Sequence, residues 1–120
     1  MTTFHNTYAR THEYIRTLAS RGDLQELACY VDHPDMFVRA EVAEALARIG
    51  GPEALKVLEA LAQTQDHDEV RGCWYVRGEA AIALAKVGGP KAVRLLEALA
   101  QDTDEYVRMA VAEALGQLAQ

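Results

Sequence analysis

The sequence predicts an all-α protein, a right-handed α-solenoid of about seven antiparallel helices. Half of its residues are hydrophobic but only 7% are aromatic, and alanine is abundant, a composition that suits closely packed helices. The segment Val76–Gln101 has an earlier copy at Val38–Gln63 and a half copy at Val107–Leu115. Repeats of about 20 to 50 residues, each with an apolar face that it cannot bury alone, are typical of solenoids.

The first two helices are predicted over residues 5–20 and 24–31. Between them, Gly22 suits the left-handed position at a helix end, and Asp23 suits the N-cap of the second helix. Asp35 is the predicted N-cap of the third helix. The apolar stripe of the first helix consists of Phe4, Tyr8, Thr11, Ile15 and Leu18.

The repeats proper supply the remaining helices. Helices are predicted over 36–49 and 52–62, joined by a Gly-Gly-Pro corner at residues 50–52, and over 90–100 and 105–118. Glycine accepts a positive φ at a helix end, and proline at the first position of the next helix loses no needed hydrogen bond. Each corner therefore indicates two helices packed side by side.

The spacing of the copies reveals an insertion. Val38 and Val76 are 38 residues apart, whereas Val76 and Val107 are 31 apart, so the first interval contains seven additional residues. Alignment of the copies places them just after Asp66. Seven residues are almost two turns at roughly 3.6 residues per turn, so the insertion lengthens a helix without rotating its buried face. We therefore expect one long helix over residues 67–87.

The domain prediction is a single solenoid with three and a half repeats. Gly72 leaves open whether residues 67–75 are helix or loop, and the sequence leaves open whether the chain is part of a longer array. The expected subdivisions are a divergent N-terminal pair, a repeat, a repeat with a seven-residue extension and a half repeat, at residues 1–34, 35–63, 64–101 and 102–120.

The repeat pattern resembles a known family. An acidic N-cap, Val-Arg, Glu, Ala, Ala-Leu and Ile-Gly or Val-Gly, followed by Pro and Leu-x-x-Leu, is similar to the HEAT-like repeat of the phycobilisome-lyase type over about residues 35–118. The first pair matches only through Leu27, Val31 and Asp35. The resemblance implies an adaptor-like superhelix whose second helices line a concave face. In this sequence that face would present Gln25, Lys56, Glu59, Arg94 and Glu97.

A second candidate surface lies where the chain departs from its own repeat. Ile82 stands at the position that Glu44 and Glu113 occupy in the other copies, so a charged position has become apolar. Trp74, the only tryptophan, belongs to a residue type enriched at binding hot spots, although packing of Trp74 on the first two helices is an equal alternative. The predicted stripe, with Trp74 beside it, consists of Arg71, Tyr75, Gly78 and Ile82.

One arginine recurs in all three copies. As in the resembled family, we interpret it as a structural bridge to the capping aspartates of neighbouring repeats, Asp35 and Asp104. The alternative is a row of cationic groups that holds an anion. In the middle repeat the insertion separates Asp66 from the arginine, so Arg77 is expected to lack that bridge and to be free for another role. The three arginines are Arg39, Arg77 and Arg108.

Charge and length argue against several classes of partner. A net charge of -6 and a pI near 5.1 disfavour binding to nucleic acid or to anionic membranes. The sequence has no apolar run of roughly 18 residues and no signal-peptide pattern, so we expect a cytoplasmic protein with no membrane partner.

No catalytic, metal or cofactor site is predicted. Deoxyhypusine hydroxylase, an enzyme built on a related scaffold, holds iron with His-Glu pairs directly after the Val-Arg of its repeats. Here the matching pairs lack histidine, and His12-Glu13 alone cannot hold a catalytic metal. The pairs are Ala40-Glu41, Gly78-Glu79 and Met109-Ala110.

The predicted function is therefore that of a non-enzymatic module that binds another protein. One alternative is a small acidic inhibitor or immunity-type protein that uses its Asp/Glu loops against a basic partner. A second is an accessory protein of the bilin-lyase type. Homodimerisation, through the last helix or through Trp74 and Ile82, is a further open alternative, and the sequence does not identify the partner.

Overall fold

The computed structural model describes residues 4–64 and 73–119, with side chains from Thr11 onward. This part of the chain is all-α, as predicted, and contains no strand. Its seven helices are α1 (Phe4–Arg21), α2 (Leu24–Ala28), α3 (Met36–Ile49), α4 (Gly51–Ala62), α5 (Cys73–Val87), α6 (Pro90–Leu99) and α7 (Glu105–Leu118).

Helix α2 differs most from its expected range, whereas α1, α4 and α6 differ by only one residue at one or both ends. Helix α2 is three residues shorter than predicted, because Tyr30 and Val31 donate their backbone N–H groups to carbonyls three residues back rather than four, which closes tight turns instead of extending the helix. The proposed extension of α5 at residues 67–72 lies outside the described residues.

The helices form two layers. Helices α1, α3, α5 and α7 pack side by side in the first layer, and α5 packs most extensively on its neighbours α3 and α7. Helices α2, α4 and α6 form the second layer and contact one another less. This is the layered architecture of an α-solenoid.

Helix α5 lies at the centre and is buried on nearly every side. Because α3, α7 and α4 all pack against it, an apolar stripe on one face would not suffice. Small residues let the neighbouring helices approach closely. Its buried residues are Cys73, Val76, Arg77, Gly78, Ala80, Ala81, Ala83, Leu84 and Ala85.

The two Gly-Gly-Pro corners have the same geometry. Gly50 and Gly88 have φ angles of 69° and 73°, and each donates its N–H to the carbonyl four residues back at 2.9 Å. A positive φ at both positions favours glycine. Pro52 and Pro90 lie in the first turn of the following helix, where no N–H is required. Each corner reverses the chain between the two layers.

Candidate protein-interaction surface

The recurring arginines hold the loops that begin each repeat. Arg39 donates from Nη1 to the carbonyl of His33, and Arg108 donates from Nη1 to the carbonyl of Asp102, each at 2.9 Å and six residues back. Arg77 makes the matching bond to the carbonyl of Thr64 at 3.0 Å, thirteen residues back. The difference of seven residues supports the proposed insertion between Thr64 and Arg77.

Arg77 is paired, contrary to the expectation that it is free for another role. Its Nε and Nη2 atoms donate to the two carboxylate oxygens of Asp102 at 2.8 and 3.1 Å, a bidentate geometry that suits guanidinium and carboxylate. The two side chains are only 9% and 11% exposed. Burial raises the pKa of Asp102, but the hydrogen bonds from Arg77 and from the backbone N–H of Asp104 outweigh burial and lower it overall.

The capping aspartates Asp35 and Asp104 are N-caps, as predicted for Asp35. Asp35 accepts the backbone N–H of Phe37 at 2.7 Å, and Asp104 accepts that of Tyr106 at 2.8 Å. They therefore cap α3 and α7. The aspartate that bridges to Arg77 is Asp102, two residues before the cap. The recurring arginines are thus structural.

An aromatic ridge, defined as Phe37, Trp74, Tyr75 and Tyr106, crosses the first turns of α3, α5 and α7. The ring centroids of Phe37 and Tyr75 are 5.6 Å apart, and those of Tyr75 and Tyr106 are 6.0 Å apart. Trp74 lies edge-on to Tyr75 at 5.9 Å and to Tyr106 at 5.5 Å. These separations suit attractive aromatic pairs, so the rings hold one another in place across three repeats.

The ridge is partly exposed to solvent. Phe37 is 47% exposed and Trp74 is 40% exposed, while Met109, one turn beyond Tyr106 on α7, is 63% exposed. Within residues 11–64 and 73–119, the large hydrophobic side chains classed as exposed are these three and Tyr14. Three of the four therefore lie on or beside the ridge.

Gly78 lies beneath the ridge rather than on its surface. It is buried, and a Cβ built on it would lie 2.7 Å from Cδ2 of Tyr106 and closer still to Cε2. The absence of a side chain at Gly78 therefore creates the space that the Tyr106 ring occupies. Gly78, which was predicted as a binding residue, thus has a packing role that supports the ridge.

Tyr106 is anchored by a hydrogen bond from its hydroxyl to Oε2 of Glu79, at 2.7 Å. Burial, followed by this hydrogen bond, raises the pKa of Tyr106. Glu41, the equivalent of Glu79 in the preceding repeat, instead lies 2.8 Å from Nδ1 of His12 and links α3 to α1. The glutamate at this repeat position thus links two helices in one copy and anchors a ring of the ridge in the next.

A groove of about 350 Å³ continues from the ridge between α5 and α7. Ile82 lines one wall and is half-buried, in agreement with its apolar character in the sequence. The opposite wall belongs to α7. The lining residues are Ile82, Tyr106, Met109, Ala110 and Glu113.

The structure brings together part of the predicted overhang surface. Trp74, Tyr75 and Ile82 lie on the ridge or its groove, and the ring contacts of Trp74 point toward α7 rather than toward the first two helices. Arg71 lies outside the described residues.

The predicted charged face lies in the other layer. Lys56, Arg94 and Glu97 are exposed on α4 and α6, and Glu59 is half-buried. Lys91 approaches Glu59 at 3.6 Å, with side chains that are 43% and 36% exposed, an arrangement that contributes little to stability. The predicted residues therefore form two separate surfaces.

Phe37, Tyr106 and Met109 were not among the residues predicted for the exposed patch. A signal was present, because Phe37, Tyr75 and Tyr106 each directly precede the Val-Arg pair of their repeat. Equivalent positions of stacked repeats lie side by side. An aromatic residue at one position of three successive copies therefore predicts a column of rings.

The described part of the chain offers neither a metal site nor a membrane-spanning helix. No group of three or more His, Cys, Asp or Glu residues there is arranged to hold a metal ion. No helix within residues 4–64 or 73–119 is long and apolar enough to cross a membrane.

Comparison with protein families identifies the repeat. The family model for HEAT repeats matches residues 6–73 and 72–120, which together span almost the whole chain. No curated protein matches the sequence. The repeated Val-Arg helices, the two layers and this match agree, and the chain belongs to the HEAT repeat family.

Proposed function

We propose that this protein is a non-enzymatic interaction module, an adaptor or scaffold that binds another protein through the aromatic ridge and its groove. HEAT repeats commonly mediate contacts between proteins. The observation on which the proposal rests is the ridge itself, a column of interlocked rings that remains partly exposed on an acidic protein. An exposed patch of this kind is typical of an interaction site.

The physical properties of the ridge favour binding. Tryptophan and tyrosine are enriched at hot spots, and a flexible methionine such as Met109 adapts to the shape of a partner. Because Trp74, Tyr75 and Tyr106 already fix one another, little side-chain freedom is left to lose on association. Binding to such a surface requires little ordering of this protein.

The charged face on α4 and α6 is a weaker candidate. Its long side chains, such as Lys56 and Arg94, are exposed and would lose rotamer entropy in a complex. We retain it as a secondary contact surface. The phycobilisome-lyase subtype of repeat and a cytoplasmic location remain parts of this proposal.

The acidic-inhibitor alternative is less favoured because several loop carboxylates already have partners. Asp23, Asp35 and Asp104 accept backbone N–H groups at helix N-termini, and Asp102 is paired with Arg77. These groups stabilise the loops of this chain. The bilin-lyase alternative has no specific observation in its favour.

The proposal is tested by capture of partners from a lysate of the source cells. The ridge variant Trp74→Ala/Met109→Ala removes two exposed side chains, and Tyr14→Ala is the matched control, because Tyr14 is an aromatic residue on α1 with the same 40% exposure as Trp74. All proteins are first matched for helicity by circular dichroism.

We expect that a protein from the lysate binds to wild type and to Tyr14→Ala but not to the ridge variant. Equal retention by all three would contradict the proposal and would direct attention to Lys56, Glu59, Arg94 and Glu97.

A further inference from the structure

The groove beside the ridge has an uneven chemical lining. Ile82, Met109 and Ala110 contribute apolar side chains to its lining, Tyr106 contributes an aromatic ring, and Glu113 adds a carboxylate. Among the described residues that line it there is no basic side chain. The groove therefore combines apolar area with negative charge.

Further negative charge lies under the ridge. Glu79 accepts the hydroxyl hydrogen of Tyr106 at 2.7 Å, and a carboxylate has acceptor sites beyond a single hydrogen bond. Burial raises the pKa of Tyr106 first, and the neighbouring Glu79, Tyr75 and Glu113 raise it further, as expected where the local potential is negative. The faces of the aromatic rings are also negative because of their quadrupoles.

Among the described residues, the cations near the groove are directed elsewhere. Arg77 pairs with Asp102 and Arg108 donates to the carbonyl of Asp102, both at the loops. Lys86 is exposed one turn beyond Ile82 but does not line the groove. Within residues 11–64 and 73–119, no basic side chain lines the groove, so its negative charge is open to a cation from a partner.

We propose that the ridge and groove bind a positively charged segment of a partner protein, with an arginine side chain as the central contact. Its aliphatic stem lies along Ile82 and Met109, and its guanidinium lies between the rings and Glu113. Arginine fits better than lysine because its planar cation stacks on aromatic faces and is less strongly hydrated. The net charge of -6 favours the approach of such a segment. This inference rests on the proposed function and specifies the chemistry of its partner.

The test uses two synthetic peptides of equal length, one with alternating arginine and leucine and one with glutamate in place of arginine. Trp74 is the only tryptophan, so its fluorescence reports contact at the ridge when the peptides lack tryptophan. Calorimetry measures the affinity. Glu113→Gln is the test variant and Glu53→Gln is its control, because Glu53 is exposed on α4 in the other layer and its loss changes the net charge equally.

We expect the arginine peptide to shift the Trp74 emission and the glutamate peptide to leave it unchanged. Glu113→Gln should weaken binding about fivefold, as for a partly exposed ion pair, and Glu53→Gln should bind like wild type. Equal weakening by both variants would overturn the proposal, because it would attribute binding to net charge alone. No change in emission up to millimolar arginine peptide would also overturn it.

The two proposals fail in distinguishable ways. If the arginine peptide does not bind at the ridge but Trp74→Ala/Met109→Ala still fails to capture the partner, the proposed interaction function stands. In that case only the proposal of a positively charged partner segment is wrong. If the captured protein is retained by that variant, the interaction function at the ridge fails, whatever the peptide does.

Discussion

The aromatic ridge and the charged face of α4 and α6 are both built by repetition, but they are organised differently. Along the ridge, Tyr75 lies between Phe37 and Tyr106, with ring centroids 5.6 and 6.0 Å away. On the charged face, the ion pair between Lys91 and Glu59 is long, at 3.6 Å, and exposed. Repetition thus produces an interlocked apolar column in one layer and independent, solvated side chains in the other.

The difference shows that departures from the repeat reveal more about function than the repeat itself. The recurring arginines hold loops, and Arg77 is nearly buried in doing so. By contrast, Trp74 has no aromatic counterpart in the other copies, where Met36 and Glu105 precede the ring position, and Ile82 replaces a glutamate. Both departures lie at the ridge or its groove. Stability and binding should therefore be separable by mutation.

The largest effect on stability is expected from loss of the Arg77–Asp102 pair. Asp102→Ala leaves a nearly buried guanidinium without its carboxylate, which should lower the free energy of unfolding by about 3 kcal/mol. Urea unfolding measures the change. A loss below about 1 kcal/mol would contradict a structural role for this pair.

The same pair predicts a dependence of stability on pH. The pKa of Asp102 is lower in the folded chain than its ordinary value of 3.8, so its stabilising contribution is present above that value. The contribution is lost as the pH falls through the lower, folded-state pKa. The difference in free energy of unfolding between wild type and Asp102→Ala should therefore shrink under acid conditions. A difference that grows as the pH falls would contradict this prediction.

The next effect concerns the support of the ridge. Gly78→Ala forces the Tyr106 ring out of its position, and the overpacking should cost about 2 kcal/mol. Gly116→Ala, on α7 with open space around it, should instead stabilise the protein by about 0.5 kcal/mol through helix propensity. In urea unfolding, Gly78→Ala should lower the free energy of unfolding and Gly116→Ala should raise it. Stabilisation by both substitutions would show that Tyr106 does not need the space over Gly78.

A smaller effect is expected from Tyr106→Phe. The substitution keeps the ring in the ridge but removes the hydroxyl that donates to Glu79, which should cost about 1 kcal/mol. Thermal unfolding followed by circular dichroism measures it. An unchanged midpoint would mean that Glu79 does not anchor the ridge.

The smallest effect is expected on the charged face. Lys91→Ala removes an exposed ion pair with Glu59 and should change stability by less than about 0.5 kcal/mol. A loss of more than about 1 kcal/mol would show that this face is organised after all and would remove the contrast with the ridge.

Much of the fold could be predicted from the sequence because it depends on local rules. Val38, Val42 and Leu46 follow the helical period and are almost completely buried, and the glycine corners have the positive φ angles that their sequence requires. The shorter α2 could not be predicted, because the turns after Leu27 are closed by hydrogen bonds three residues back, a choice that the apolar pattern of the sequence does not specify.

The candidate site was only partly predictable. Trp74 and Ile82 were identified because they break the repeat, and Tyr75 because it lies on the same predicted helical stripe as Ile82. The Arg77–Asp102 pair was missed because its carboxylate lies two residues before the capping position. The Gly78–Tyr106 contact was missed because it lies between two repeats, where the Tyr106 ring occupies the space that a side chain at Gly78 would fill. Both depend on the separation of neighbouring helices, which sequence spacing alone does not specify.

The most direct test of the central claim uses 5-fluorotryptophan, which labels position 74 alone because the chain contains a single tryptophan. Fluorine NMR is recorded before and after addition of the captured partner. If the partner binds at the ridge, the resonance of Trp74 shifts or broadens, and it does so equally in a Lys56→Ala/Glu97→Ala background. If the resonance remains unchanged while complex formation is complete, the partner binds elsewhere and the ridge is not the interaction surface.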